Sequence, residues 1–202
     1  IQASIKAYDE LKKNFPRSKS YLDDEVLQQG IILVMTRKYP LAIKTLTSLL
    51  QDYPTSKLRD EAHYWLGYVI SFSAELLRKK NKQQALQEYK TSIQHFKNSD
   101  PTALTQSQQQ ERWYLTGRAW WFLDDISKAA DAWEEYLKHS KSIKPEQALN
   151  LKYQLAAKFQ QIKKYEQSES WFARIVTEHS EEKLAAGSAF GGRKWHTRHH
   201  FN

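Results

Sequence analysis

An all-α solenoid of antiparallel helix pairs is the fold this sequence predicts, and three observations carry it. Stretches rich in Leu, Ala, Gln, Glu and Lys run uninterrupted between only five prolines and six glycines, a helix-forming composition. Within those stretches apolar residues recur at three- and four-residue steps, the spacing of one helix face. Finally, one pattern returns along the chain. Gly30, Gly117 and Ala156 are each followed twelve residues later by another small residue, Ala42, Ala129 and Ser168.

Each second small residue opens a small-x-x-x-bulky-x-x-bulky run: Ala42, Leu46, Leu49; Ala129, Trp133, Tyr136; Ser168, Phe172, Ile175. A break follows at Pro54, Lys141 or Ser180. The unit is therefore helix, tight turn, helix, break. Pro40 in "RKYPLA" fits the first turn of a second helix, where the missing N–H costs nothing. Gly67 anchors a further unit if six residues are inserted, because Ala85 stands 18 rather than 12 positions on; Ala85, Tyr89 and Ser92 then take the second-helix positions. An incomplete copy, Ser4, Tyr8, Leu11 and Pro16, opens the chain. These spacings predict a helical array over 1–184, with a half-unit at 1–16 and units at about 20–54, 57–99, 107–141 and 146–180. A Gly- and His-containing basic tail, 185–202, breaks the pattern and reads as a flexible or capping extension.

The small positions, the bulky positions and the closing proline resemble the tetratricopeptide repeat (TPR) family over nearly the whole chain to about residue 180. The anchors lie 37, 50 and 39 residues apart, longer than the strict repeat of about 34 in that family, with the excess in linkers and in the insertion. More narrowly, "YPTSKLRDEAHYWLG" (53–67) looks like the linker and first helix of a bacterial cell-envelope subgroup. That subgroup includes the Tol-Pal-associated periplasmic coordinator and an outer-membrane-assembly lipoprotein. "NFPRSKSYLDDEVLQQG" (14–30) is a weaker copy. Gln29 and Thr116 stand where the family usually has Leu, the third unit ends without proline, and a lipid-bearing Cys is absent.

The resemblance implies a right-handed superhelix whose inner wall is made by the first helix of each pair. On the family's inward positions it places Leu27, Ile31, Val34 and Met35, then Glu61, Tyr64, Tyr68 and Phe72, then Glu111, Tyr114, Arg118, Trp121 and Phe122, then Asn150, Tyr153, Gln160 and Gln161. Aromatics interleaved with one Arg compose a protein-binding surface. The expected partner-binding residues are Tyr64, Tyr68, Phe72, Tyr114, Arg118, Trp121, Phe122 and Tyr153, whereas Trp113, Trp120 and Trp133 fall on packing positions and are read as core.

Chemistry is sparse by comparison. With no Cys, thiol catalysis, disulfides and Cys-based zinc sites are excluded, and G-x-S-x-G, P-loop and H-E-x-x-H patterns are missing. Asp23-Asp24-Glu25 reads as acids favouring a helix N-terminus, and Asp124-Asp125 as a solvated turn. His196, His199 and His200 have no nearby acidic companions, so neither a metal nor a cofactor is expected. The net charge of +8 is spread among Glu, Asp and Gln along solvated faces, which argues against nucleic acid as a partner. No 18-residue apolar run exists to span a membrane, and the start without Met or a signal pattern predicts a segment of a longer or processed chain.

The expected function is a non-catalytic scaffold holding a protein partner, in the periplasm or at the outer membrane if the subgroup resemblance holds. Two alternatives stay open. The chain could be the superhelical domain of a larger enzyme or polysaccharide-export protein, of the lytic-transglycosylase kind, or a cytoplasmic TPR adaptor.

Overall fold

The computed structural model describes residues 19–139 and 143–184. The expected half-unit at 1–16 and the tail at 185–202 lie outside them. The described residues form a TPR-like all-α solenoid of eight helices without strands: α1 (Lys19–Met35), α2 (Tyr39–Asp52), α3 (Arg59–Leu77), α4 (Lys82–Lys97), α5 (Gln106–Phe122), α6 (Ile126–Lys138), α7 (Pro145–Gln161) and α8 (Tyr165–Leu184). Two compact units divide the chain, residues 1–141 with the first three helix pairs and residues 142–202 with the fourth. Each is described by itself.

The turns inside the pairs repeat as faithfully as the helices do. Seven residues after Gly30, Gly117 and Ala156 stand Arg37, Asp124 and Lys163, each in the left-handed region at φ of 58°, 61° and 61°. The N–H of each donates to the carbonyl three residues back, and the next N–H to the carbonyl five back, as in Arg37 to Val34 and Lys38 to Leu33, both 2.9 Å. This closure satisfies the last carbonyls of the first helix and reverses the chain. Asp125, expected in a solvated turn, caps α6 by accepting from the Lys128 N–H at 3.2 Å. Asp23, expected ahead of a helix, lies within α1 instead. It accepts from the Ser56 hydroxyl at 2.6 Å, while Ser56 Oγ takes the Leu58 N–H, so the linker before α3 is tied back to α1.

Close approach explains the anchors. A Cβ added at Gly67 would stand 2.6 Å from the Phe96 ring, and at Gly30 and Gly117 it would collide with Leu46 and Trp133. No side chain fits where the two helices of a pair touch.

The second pair differs from the expected register. In the fourth pair Ser168 Oγ donates to the Ala156 carbonyl, 12 residues away, at 2.9 Å. The matching bond in the second pair runs from Ser92 Oγ to the Gly67 carbonyl at 2.7 Å, across 25 residues. Ser92 and Phe96, not Ala85 and Tyr89, thus occupy the positions of the short pairs, and the insertion is thirteen residues rather than six. Counted from Gly67 and Ser92, α3 ends five residues later and α4 starts seven residues earlier than their counterparts in the other pairs, about one and a half and two turns, and Ala85 and Tyr89 lie on that extension. Composition could not show this, because Ala85 and Tyr89 continue the same small-bulky periodicity one helical repeat early.

The extension has its own packing. Ala74, Tyr89, Ile93 and Ala119 form a buried cluster against which Trp120, Phe122 and Leu123 pack. The main core of the first unit lies nearer the anchors, with Val26, Leu33, Leu46, Leu49, Leu66, Val69 and Leu115 fully or almost fully buried. In the other unit Leu155, Ala156 and Phe159 are buried, and the buried Lys152 amine donates to the carboxylate of Glu178.

Candidate functional site: an aromatic wall on the first helices

Helices α3 and α5 lie side by side in the first unit, and their facing residues build the wall. From α3, Tyr68 and Phe72 stack with ring centroids 4.8 Å apart. From α5, Tyr114 meets Tyr136 of α6 at 5.2 Å, and Trp121 meets Trp133 at 5.5 Å. Tyr68, Phe72, Tyr114 and Trp121 are each half-buried, so part of every ring remains available. The long helical spacing of these positions is what sets them on one face.

Arg118 is the polar feature of the wall. Its guanidinium carbon sits 5.2 Å from the Phe72 ring centroid, and the side chain is only 8% exposed. Among the described residues Nε and Nη2 have no hydrogen-bond partner. Those two nitrogens form one edge of the planar fork, the edge that takes a carboxylate with two parallel bonds. Glu111, two turns earlier on α5, is half-buried, and burial raises its carboxyl pKa despite the opposing pull of Arg118. Burial likewise raises the phenol pKa values of Tyr68 and Tyr114, with Glu111 adding to the rise and Arg118 countering it. The wall therefore sets half-buried rings and the Glu111 carboxyl around one buried cation, whose Nε and Nη2 have no hydrogen-bond partner among the described residues.

Three expected residues are placed differently. Tyr64 is 3% exposed and sits in the core between Trp65 and Phe96, its ring T-shaped against Trp65 at 5.2 Å. It supports Tyr68 from behind, because α3 turns it toward the second helix of the pair rather than to the surface. Phe122 is half-buried and turned to the extension, stacked on Tyr89 at 5.1 Å with the Arg78 guanidinium 4.3 Å from its centroid. Tyr153 belongs to the other unit, where it is 42% exposed and edge-on to Phe172 at 6.0 Å. The structure thus brings Tyr68, Phe72, Tyr114, Arg118 and Trp121 together.

The tryptophans expected in the core divide. Trp133 is buried, and its Nε1 donates to the Tyr114 carbonyl at 3.0 Å. Trp113 and Trp120 are half-buried and line a cleft of about 580 Å3 with residues of α4 and α6. At 3.6 residues per turn, Trp113 and Trp120 lie on a different face of α5, roughly 80–160° around the helix from Trp121, Tyr114 and Arg118. Their seven-residue spacing was visible in the sequence, but the pattern that identified the repeat assigns both to packing.

Residues 26–56 match the tetratricopeptide repeat family. The match runs from within α1 through α2 to the linker serine, and the remaining TPR-like pairs repeat its geometry at Gly117 and Ala156. No curated protein matches the chain. TPR units generally mediate protein–protein interaction, and no helix among the described residues is long and apolar enough to cross a membrane.

Proposed function

We propose that this chain is a non-catalytic scaffold that holds an extended segment of a partner protein against the α3–α5 wall, with a carboxylate of that segment on Arg118. The carrying observation is the buried guanidinium with Nε and Nη2 unmet. Such a group costs free energy unless something pairs with it. The half-exposed rings of Tyr68, Phe72, Tyr114 and Trp121 supply contact area with few rotors to freeze. Both acidic pairs noted in the sequence have structural work, Asp23 on Ser56 and Asp125 on the α6 N-terminus, which favours a non-catalytic reading. The linker Tyr53–Ser56 and the segment Ala62–Gly67 support a partner within bacterial envelope assembly or maintenance, and hence a periplasmic or outer-membrane-associated location.

An affinity capture from envelope and cytoplasmic fractions tests this, comparing the unaltered chain with Arg118→Ala and with Tyr68→Ala/Trp121→Ala. The expected outcome is loss of the same partner in both variants with the helical circular dichroism intact. A folded variant that keeps every partner overturns the wall as the binding surface, and partners drawn only from the cytoplasmic fraction overturn the envelope assignment.

A further inference from the structure

A cleft opens on another face of α5, between α4 and α6. Its floor is apolar, from Ile93, Phe96 and Ala132, and its walls are the indoles of Trp113 and Trp120. Both rings are half-buried, and Trp120 packs on the cluster of Ala74, Tyr89, Ile93 and Ala119. The Arg112 guanidinium lies 4.9 Å from the Trp113 centroid, and the Lys128 amine 4.5 Å from that of Trp120, so each ring is braced by a cation. Arg112 in turn donates through Nη1 to the carbonyls of Phe96 and Ser99 at 3.3 and 2.8 Å, which fixes the turn after α4. Ser99 also lines the cleft, is 2% exposed, and its hydroxyl has no partner among the described residues.

Spacing selects the ligand. Trp113 and Trp120 are seven residues apart on one helix face, hence roughly 10.5 Å along the axis. A polyproline II strand rises about 3.1 Å per residue, so prolines three apart recur at about 9.3 Å, close to the separation of the indoles. Such a strand has no internal hydrogen bonds and presents bare carbonyls, the acceptors that the Thr116 hydroxyl and the Lys97 amine on the cleft lining can meet. On α6, Asp131 and Glu135 add carboxylates to the rim; Glu135 pairs with Lys138 at 2.6 Å, whereas Asp131 is exposed and has no ion pair among the described residues. We infer that this cleft binds a proline-rich segment of a partner protein in the polyproline II conformation, two prolines three apart seated on Trp113 and Trp120 and a flanking basic residue on Asp131.

The site is separate from the α3–α5 wall, so it can be tested independently. The probes are a synthetic peptide carrying Pro-x-x-Pro with a flanking Arg, the same peptide with both prolines replaced by Ala, and one with the Arg replaced by Gln, each titrated calorimetrically into the whole chain. The expected result is saturable binding of the first, at least tenfold weaker binding of the proline-free peptide, and a similar loss in Trp120→Ala. Because Trp120 also packs on the extension, the exposed Asp131→Lys provides a second variant. It is expected to weaken the Arg-bearing peptide several-fold and leave the Gln peptide unchanged, while Tyr68→Ala/Trp121→Ala binds all three normally. The inference is overturned by absence of binding, by equal binding of the proline-free peptide, or by binding indifferent to both Trp120→Ala and Asp131→Lys. Saturable binding of a neutral β-linked oligosaccharide in place of the peptide also overturns it and reassigns the cleft to sugars.

Discussion

Gly67 shows how a single residue carries the packing. In an exposed helix, replacing Gly with Ala stabilises by roughly 1 kcal/mol. At this position the new methyl would meet the Phe96 ring at 2.6 Å, and the ring belongs to a buried core. Gly67→Ala is therefore expected to destabilise by about 1–3 kcal/mol, the usual cost of overpacking, in urea or thermal unfolding, with partial recovery in Gly67→Ala/Phe96→Leu. A neutral or stabilising result would show that the pair separates easily.

His63 and His95 make a second residue-scale test. Their Nδ1 atoms are 3.0 Å apart across α3 and α4, so one ring donates from Nδ1 and the other accepts there. Burial lowers both pKa values from the ordinary 6.5, with Arg59 opposing the charge on His63 and Asp60 favouring it, and it brings His95 down to about 4. Between those values the unfolded chain binds more protons than the folded one. Stability should thus be complete above pH 6.5 and fall as pH drops toward 4. In a Tm-versus-pH series His95→Gln should flatten that part of the profile; an unchanged slope would remove the pair as its cause.

At the scale of elements, the turn within each pair places a side chain in the left-handed region at Arg37, Asp124 and Lys163. That conformation costs an L-residue roughly 1–2 kcal/mol relative to glycine. Arg37→Gly, on an exposed residue, is expected to raise stability by about 0.5–1 kcal/mol after the added freedom of the unfolded chain is counted. Thermal unfolding reads this directly, and a decrease would mean the Arg37 side chain holds the turn. The number of pairs, their order and their turns were readable because small-residue spacing reports helix contact directly. The register of the second pair was not. Ala85 and Tyr89 satisfy the same periodicity as Ser92 and Phe96, and the Ser92–Gly67 hydrogen bond and the close approach of Phe96 to Gly67 distinguish them. The sequence likewise located α5 but not which of its tryptophans are covered, since cover comes from α4 and α6.

For the whole molecule, a charge of +8 invites binding to any polyanion, and two kinds of binding can be separated by salt. Contacts made by dispersed surface lysines are screened over about 10 Å at 0.1 M and about 3 Å at 1 M salt. A carboxylate on buried Arg118 between aromatic rings is screened far less. Partner capture through the wall should therefore survive salt that abolishes retention on DNA, as comparative pull-downs at low and high salt will show. Capture that fades in parallel with DNA retention would assign it to surface charge.

The sequence by itself determined an all-α TPR-like array, because helix periodicity and the small residues that allow close contact are local and survive in any one-dimensional reading. The family resemblance added the expectation that Tyr64, Tyr68, Phe72, Tyr114, Arg118, Trp121, Phe122 and Tyr153 share the inner wall of the first helices. Which rings stay accessible was decided by tertiary structure alone. Tyr64 is taken into the core, Phe122 is stacked on the buried Tyr89, and Trp113 and Trp120 open onto a cleft. The reason is physical: a side chain's direction follows from its own helix, but its exposure depends on what the neighbouring helices bring over it.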